Sequence, residues 1–250
     1  MAKRRKNKQS SVYFIVALII FLIVGVYEGK IVFQPIKDNS NVVNQVSYDL
    51  SSIPEYSNTN YVVLNNNEPN FTESDYTTDS FERYSKLDSL GRAKVAYANI
   101  GVDLMPTLER GSIGQVKPSG WHLVKYDIVN GKYLYNRCHL IGFQLTGENA
   151  NEKNLITCTR QMNTVGMLEF ENKVANYIKS TNNHVLYRVT PIYKDDNLLA
   201  SGVVMEAYSV EDSGEGIKFN VFVYNVQDGI DIDYKTGDSK LKGAVEKLNN

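Results

Sequence analysis

One stretch of the chain, residues 135–171, concentrates side chains whose types and spacing could do chemistry. His139 closes a predicted strand, a loop and a short strand follow, and a helix then brings in Asn163 and Glu171. An imidazole is largely neutral at pH ~7 and can accept a proton. Amide and carboxylate oxygens are ligands that a divalent cation such as Mg²⁺ prefers. The pattern predicts a strand–strand–helix finger that can hold a metal ion against a base.

The helix of this finger is marked by its periodicity. Its apolar residues recur at the spacing of one helical face, as Phe170, Val174, Tyr177 and Ile178. When the helix is extended backward at about 100° per residue, Arg160, Asn163 and Glu171 fall within an arc of roughly 80° that overlaps or borders the apolar face. Polar side chains directed inward need partners or a function. Gly166 is the residue that could break the helix and change this geometry.

The strands around the finger are predicted from alternating apolar residues. Three runs near the end of the chain indicate strands, at 185–193, 198–209 and 217–226. The last two are joined by a turn rich in Glu, Gly, Asp and Ser at 211–216. Sequential strands with short connections favour an antiparallel sheet.

Two further elements are predicted upstream. Asn130-Gly131 lies between strand-like runs at 121–129 and 132–138, and this dipeptide is a strong signal for a β-hairpin. A helix is predicted around 85–100, where four apolar residues could share a face, although Gly91 disfavours it. Those four residues are Leu87, Leu90, Val95 and Ala98.

The amino terminus has the pattern of an export or anchoring signal. Residues 1–11 carry five positive charges and no negative ones, and residues 12–27 are uncharged and mostly apolar. This run is shorter than the ~20 residues of a full span, but no small-residue cleavage site follows it. We expect an uncleaved single-pass anchor in the cell membrane, with the domain extracellular; secretion after signal cleavage is the alternative. Residues 28–60 are interpreted as a polar tether and 61–250 as the main domain.

The charge distribution limits what the domain can bind. Without the five positive residues of the amino terminus, 22 basic residues face 28 acidic ones, a net charge of −6. Proteins that hold nucleic acid tightly through phosphate contacts usually carry a basic surplus. The balance therefore argues against a tight, salt-steered binder of nucleic acid, but not against an enzyme that binds it briefly.

The few cysteines and histidines exclude some classes of site. Two cysteines, Cys138 and Cys158, cannot form a disulfide framework or a cysteine-rich zinc site. A single bridge between them is possible, but two unpaired thiols are the favoured interpretation. With three histidines in the chain, a metal cage of several imidazoles is not expected.

The motif and its flanks resemble the DNA/RNA non-specific endonucleases of the ββα-metal fold, in particular the streptococcal-type extracellular and DNA-entry nucleases. The signature Asp-Arg-Gly-His of that family stands here as Asn136-Arg137-Cys138-His139. The family's metal-binding asparagine matches Asn163, its helical glutamate matches Glu171, and its upstream asparagine matches Asn154. Phrases such as Gly120-Trp121 extend the resemblance from about residue 53 to the end of the chain. It implies an α+β fold with a mainly antiparallel sheet, flanking helices and a ββα-metal finger, behind the predicted amino-terminal transmembrane helix.

The resemblance also implies a role for each site residue. His139 would be the general base, Asn163 a direct ligand of Mg²⁺, with Mn²⁺ as a possible substitute, and Glu171 would hold the hydration shell of the ion. Asn154 would orient its neighbours. Three arginines would contact phosphate through their planar guanidinium groups: Arg137, Arg160 and Arg110.

The expected activity is hydrolysis of phosphodiester bonds in DNA, RNA or both, with little sequence preference, since none of these groups reads a base edge. Two alternatives stay open at this point. The first is a surface-tethered module that binds nucleic acid without catalysis. The second is a secreted, toxin-like nuclease paired with an inhibitor protein.

Overall fold

The computed structural model describes Tyr48 and residues 50–243. In this part the chain forms two α-helices, α1 (Phe143–Thr146) and α2 (Leu168–Thr181), and a π-helical segment, Met162–Met167, leads directly into α2. The strands in the same part are β1 (Tyr61–Val63), β2 (Phe81–Tyr84), β3 (Ala96–Ile100), β4 (Tyr135–His139), β5 (Leu155–Thr159), β6 (Val185–Ile192), β7 (Gly202–Ser209), β8 (Lys218–Tyr224), β9 (Ile230–Ile232) and β10 (Ser239–Leu241).

The predicted anchor at 12–27 lies outside the described residues. Among those that are described, no helix combines the length and the apolar character that a membrane crossing requires.

Six strands form one antiparallel sheet in the order β1-β8-β7-β6-β3-β2. The three strands predicted near the end of the chain are confirmed as β6, β7 and β8. The predicted turn between β7 and β8 is also confirmed, since Ser213 and Gly214 adopt positive φ there. All eight residues of β6 are buried, because both faces of the sheet are covered.

The two faces of the sheet bury different segments. On one face, Tyr187 of β6 packs in the same cluster as the finger and Phe170 of α2. On the other, Phe222 of β8 packs in a cluster that includes Tyr56. The segment 28–60, interpreted from its sequence as a tether, therefore contributes at least one side chain to the packing of the domain.

The helix predicted around 85–100 is wrong. Residues 85–95 form the turn that connects β2 to β3, and Ala96–Ile100 form β3 itself. In this turn the carboxylate of Asp88 accepts hydrogen bonds from the backbone amides of Leu90 and Arg92, at 2.9 Å each. Gly91 adopts a positive φ of 72° in this turn. Pairing of β3 with β2 and β6 buries all its residues and outweighs a helical periodicity that four residues suggested.

The hairpin predicted around Asn130-Gly131 is correct as a turn but wrong as a pair of strands. Gly131 and Lys132 adopt positive φ, and one isolated bridge joins Lys125 to Tyr133. The second apolar run instead continues into β4, which pairs with β5. The run therefore pairs with β5, farther along the chain, and forms one isolated bridge with the segment across the turn.

β4 and β5 form the two-stranded part of the finger, with His139 opposite Leu155. A disulfide joins Cys138 to Cys158 across this pair, so the expectation of unpaired thiols is wrong. The register places the two cysteines diagonally on the same face of neighbouring strands, with their Cα atoms 5.8 Å apart. A bridge spans that separation, but the register that creates it cannot be derived from the spacing of the cysteines.

Candidate active site

Strand β4 separates the side chains of the motif between two faces. Successive side chains of a strand point to opposite sides. Cys138 points into the main core and is fully buried. Arg137 and His139, which flank it, therefore share the opposite face of the finger.

A cavity of about 330 Å³ opens beside this face. It brings together four side chains that the sequence predicted for one site: Arg110, His139, Asn163 and Glu171. The other lining residues are Gly142, Phe143, Gln144, Thr164 and Leu168. An imidazole, an amide, a carboxylate and a guanidinium therefore share one cavity.

The imidazole of His139 is fixed by two contacts. Its Nε2 lies 2.7 Å from the carbonyl oxygen of Asn149, which can only accept, so Nε2 carries the proton. Its Nδ1 is then unprotonated and faces Nη2 of Arg110 at 3.2 Å. Burial lowers the pKa of His139 and the charge of Arg110 lowers it further, while the hydrogen bond to Asn149 acts in the opposite direction. The ring is therefore held neutral, with Nδ1 directed to the cavity.

The carboxylate of Glu171 lies against the backbone of Gly142. A Cβ atom at position 142 would stand 2.7 Å from Oε2 of Glu171, so this approach requires a glycine. Burial raises the pKa of Glu171 to about 7, whereas a hydrogen bond from Gln144 and the charge of Arg110 lower it. A cation beside the carboxylate would favour its ionised form.

The π-helical segment carries Asn163 to the cavity. The hydroxyl of Thr159 accepts a hydrogen bond from the backbone amide of Met162 at 3.0 Å, where the segment begins. Gly166, which the sequence analysis named as a residue that could break the helix, does not break it. It lies in the π-helical segment, where an added Cβ would stand 2.5 Å from Val223 of the sheet. Single π-turns within α-helices often occur at functional sites, and this one separates Asn163 from Glu171.

Asn154 lies behind the cavity and is fully buried. Its Oδ1 accepts a hydrogen bond from the amide of Ile141 at 2.9 Å, and its Nδ2 donates one to the carbonyl of Ile141 at 3.0 Å. These bonds hold the backbone between His139 and Gly142, so the placement is consistent with an orienting residue.

Two of the arginines predicted to contact phosphate do not line the cavity. Arg137 donates hydrogen bonds to the carbonyl oxygens of Gly114 and Val116, and its guanidinium lies 3.9 Å from the ring centre of Trp121. Arg160 donates to Oδ1 of Asn136 at 3.4 Å. Both guanidinium groups are therefore directed at other parts of the protein, and their contact with phosphate stays a prediction.

Residues 69–211 match the family model described as DNA/RNA non-specific endonuclease, which is more than half of the chain. The chain belongs to the DNA/RNA non-specific endonuclease family. It is a nuclease, and therefore a hydrolase.

Several relatives of this nuclease are streptococcal. A deoxyribonuclease of Streptococcus dysgalactiae subsp. equisimilis is 26% identical over an alignment of 260 positions that covers 86% of this chain and 76% of that protein. The crystal structure of NucA from Streptococcus agalactiae with a magnesium ion bound has a TM-score of 0.63 at 27% identity, covering 72% of this chain and 85% of that one. The structure of Sda1 nuclease with a bound zinc ion has a TM-score of 0.60 at 26% identity, covering 71% of this chain and 94% of that one.

The sequence analysis of this nuclease missed five residues of the cavity: Gly142, Phe143, Gln144, Thr164 and Leu168. Gly142 and Gln144 matter most, since one admits the carboxylate of Glu171 and the other contributes a hydrogen bond that lowers its pKa. The available signal was proximity, because both follow His139 within five residues. A glycine and an amide are common in loops, however, and their types alone do not indicate a site.

Proposed function

We propose that this nuclease is a Mg²⁺-dependent endonuclease that hydrolyses phosphodiester bonds of DNA, RNA or both, without sequence preference, outside the cytoplasm. The observation that carries the proposal is the shared cavity of His139, Asn163, Glu171 and Arg110. Hydrolysis of a phosphodiester needs a base for the attacking water and positive charge near the phosphate and the leaving oxygen. The four side chains can supply or hold each of these.

His139 acts as the general base through Nδ1, which takes a proton from the attacking water. Its Nε2–H stays on the carbonyl of Asn149, which keeps the ring oriented and stabilises the imidazolium that forms. The lone pair of Nδ1 faces Nη2 of Arg110, so this contact must break before Nδ1 can take the proton, and protonated His139 would repel the guanidinium. We therefore expect Arg110 to turn toward a bound phosphate, where its guanidinium pairs with the phosphate oxygens.

The donor set of the cavity fits Mg²⁺. Asn163 offers an amide oxygen and Glu171 a carboxylate, and Mg²⁺ keeps most of its water ligands, so it needs few from the protein. Among Tyr48 and residues 50–243, no group of three or more His, Cys, Asp or Glu side chains lies close enough together to hold a metal ion. Those residues therefore offer no closed zinc site of the structural kind, which takes four ligands, mostly nitrogen and sulfur. Bound there, Mg²⁺ would supply Lewis-acid stabilisation of charge on the phosphate and the leaving oxygen; Mn²⁺ has similar ligand preferences and should substitute.

The lack of sequence preference follows from what the cavity offers. Arg110, Asn163 and Glu171 suit a phosphate and a cation, which every nucleotide step presents alike. Recognition of a sequence would require contacts to base edges. The net charge of −6 beyond residue 11 also favours brief binding over tight binding.

Two features support action outside the cytoplasm. The basic residues 1–11 and the apolar run 12–27 have the pattern of an export or anchoring signal. The bridge between Cys138 and Cys158 is of a kind that persists mainly in oxidising surroundings. We propose an uncleaved single-pass anchor, and mass spectrometry of the mature amino terminus distinguishes it from release by signal cleavage.

A plasmid-nicking assay tests the proposed mechanism. The wild-type domain should nick supercoiled plasmid with Mg²⁺ and stop when EDTA is added. His139→Ala should lower the rate on the order of 10²- to 10⁴-fold, because the general base is lost. The matched control is His122→Ala, since His122 bonds the carbonyl of Thr236 outside the cavity and its loss should leave the rate unchanged.

The alternatives give different results in the same assay. Equal nicking by the wild type and His139→Ala would contradict the role of this imidazole. Plasmid binding without nicking, at any Mg²⁺ or Mn²⁺ concentration, would favour a module that binds nucleic acid without catalysis.

A further inference from the structure

Segment 106–118 carries Arg110 to the cavity but makes few hydrogen bonds to the rest of the domain. Most of its residues are exposed, and Leu108 is 82% exposed. Among the described residues, the hydrogen bonds between this segment and the rest of the domain are one from the backbone amide of Trp121 to the carbonyl of Pro118, at 3.2 Å, and those made by two arginines. One is Arg110, which reaches out to His139, and the other is Arg137, which reaches in from β4. A segment held by so few bonds would sample many conformations once one set is removed.

Arg137 is well suited to hold backbone. Its Nη2 donates to the carbonyl of Gly114 at 2.8 Å, and its Nε donates to the carbonyl of Val116. One face of its guanidinium is covered by Trp121. Two hydrogen bonds to carbonyl oxygens and one stacking contact with an indole together fix the position of this planar group. These two bonds use two of the five N–H donors of the guanidinium.

The order of the contacts shows how the segment lies. Arg137 and His139 are two residues apart on β4 and share one face of the finger. Segment 106–118 meets His139 through Arg110 and meets Arg137 through Gly114 and Val116. It therefore runs along the exposed face of β4, with the arginine of the motif at one end of the contact and the imidazole at the other.

We propose that Arg137 is a positioning residue: it fastens segment 106–118 along β4 and thereby places the guanidinium of Arg110 beside Nδ1 of His139. The inference rests on the proposed function of the cavity, and it gives the arginine of the motif a task other than phosphate binding. Arg137 then acts on the reaction only through Arg110.

A double-mutant cycle tests this dependence. Arg137→Met should lower kcat/KM for plasmid nicking on the order of 10- to 100-fold, because Arg110 loses its position. Arg110→Met should lower it at least as much. The double variant should be no worse than Arg110→Met within about threefold, since Arg137 has nothing left to position. Arg137→Lys should be as impaired as Arg137→Met, because an ammonium group cannot reproduce the fork.

Arg92→Met is the matched control. Arg92 also donates to two backbone carbonyls, those of Asp195 and Asn197 at 2.8 and 2.9 Å, and lies 4.5 Å from the ring centre of Tyr193. Its loss removes one positive charge, a similar set of contacts and an ion pair with Asp88 at 2.6 Å, without touching segment 106–118. We expect kcat/KM to stay within about twofold of the wild type.

Amide hydrogen exchange gives a readout that does not depend on activity. Arg137→Met should speed exchange across residues 106–118, whereas Arg92→Met should not. Unchanged exchange in Arg137→Met would overturn the proposal. So would activity losses that multiply in the double variant, or substantial rescue by Arg137→Lys, since both indicate a direct role at the phosphate. A wild type without metal-dependent nicking would contradict the proposed function instead, and the exchange result would still decide whether Arg137 holds the segment.

Discussion

The finger and segment 106–118 meet at the same cavity but are held there by different interactions. Strand pairing, burial and a disulfide hold β4 and β5, and with them His139. Segment 106–118 depends on hydrogen bonds from Arg137 and on the contact of its own Arg110 with His139. The proposed base and cation ligands are therefore preorganised by folding, while the guanidinium proposed to bind phosphate lies on a part that can shift without unfolding the domain.

The largest expected contrast between the two regions comes from a pair of glycines. Gly142→Ala puts a Cβ atom 2.7 Å from Oε2 of Glu171. The end of that side chain can move at little cost in stability, but the carboxylate then leaves its place in the cavity. We expect kcat/KM to fall on the order of 100-fold while the melting temperature changes little.

Gly114→Ala, in segment 106–118, is the control for that change. Its Cβ would meet Oγ of Ser112 at 3.7 Å, which is an ordinary contact, and nicking should stay near the wild-type rate. Nicking assays and thermal unfolding of both variants check the contrast. Full activity of Gly142→Ala would mean that the position of the Glu171 carboxylate is not required.

The disulfide should matter for the stability of the finger more than for its chemistry. Cys138→Ala combined with Cys158→Ala removes a bridge between residues 20 apart. The free energy of unfolding should fall by about 3 kcal/mol, since the unfolded chain is no longer constrained. Urea denaturation measures the loss, and reduction of the wild type with dithiothreitol should reproduce it. Activity per folded molecule should change far less; a complete loss of nicking in folded protein would show that the bridge itself positions His139.

Arg110 also links the two regions electrostatically. Burial and the charge of Arg110 both lower the pKa of His139 from its ordinary value of 6.5. The base must be neutral, so kcat/KM should fall with decreasing pH along a limb whose midpoint lies below 6.5. Arg110→Gln removes the positive charge, raises the pKa of His139 and should move that midpoint to higher pH, whatever the remaining activity. Arg92→Met should leave the midpoint in place, and a shift to lower pH in Arg110→Gln would contradict the contact.

The smallest expected effect lies inside the finger, at the first residue of the motif. Nδ2 of Asn136 is buried without a hydrogen-bond partner, as is Nε of Arg160, and the two side chains share one long bond of 3.4 Å. Asn136→Asp removes the unpaired donor and offers Arg160 a charged acceptor. We expect the free energy of unfolding, measured by thermal denaturation, to rise by about 1 kcal/mol. The gain should vanish when Arg160 is replaced by Met, and a loss of stability in Asn136→Asp alone would mean that the carboxylate is left unpaired.

The sequence predicted the finger better than its surroundings. The spacing of His139, Asn163 and Glu171 placed them on neighbouring elements, and the structure brings all three to one cavity. The helix predicted around 85–100 failed, because β3 pairs there with β6, which lies far away in sequence. Periodicity reports which face a residue prefers, but not which partner covers it.

The sequence by itself determined the local chemistry of this protein: an imidazole at the end of a strand, an amide and a carboxylate eight residues apart on a helix, and a family to which they correspond. Only the tertiary structure decided which arginine reaches the cavity, which strand pairs with β4 and whether the two cysteines meet. The physical reason is that spacing along a strand or helix is set by backbone geometry. Contacts between distant segments depend instead on register and packing, which the whole chain settles together.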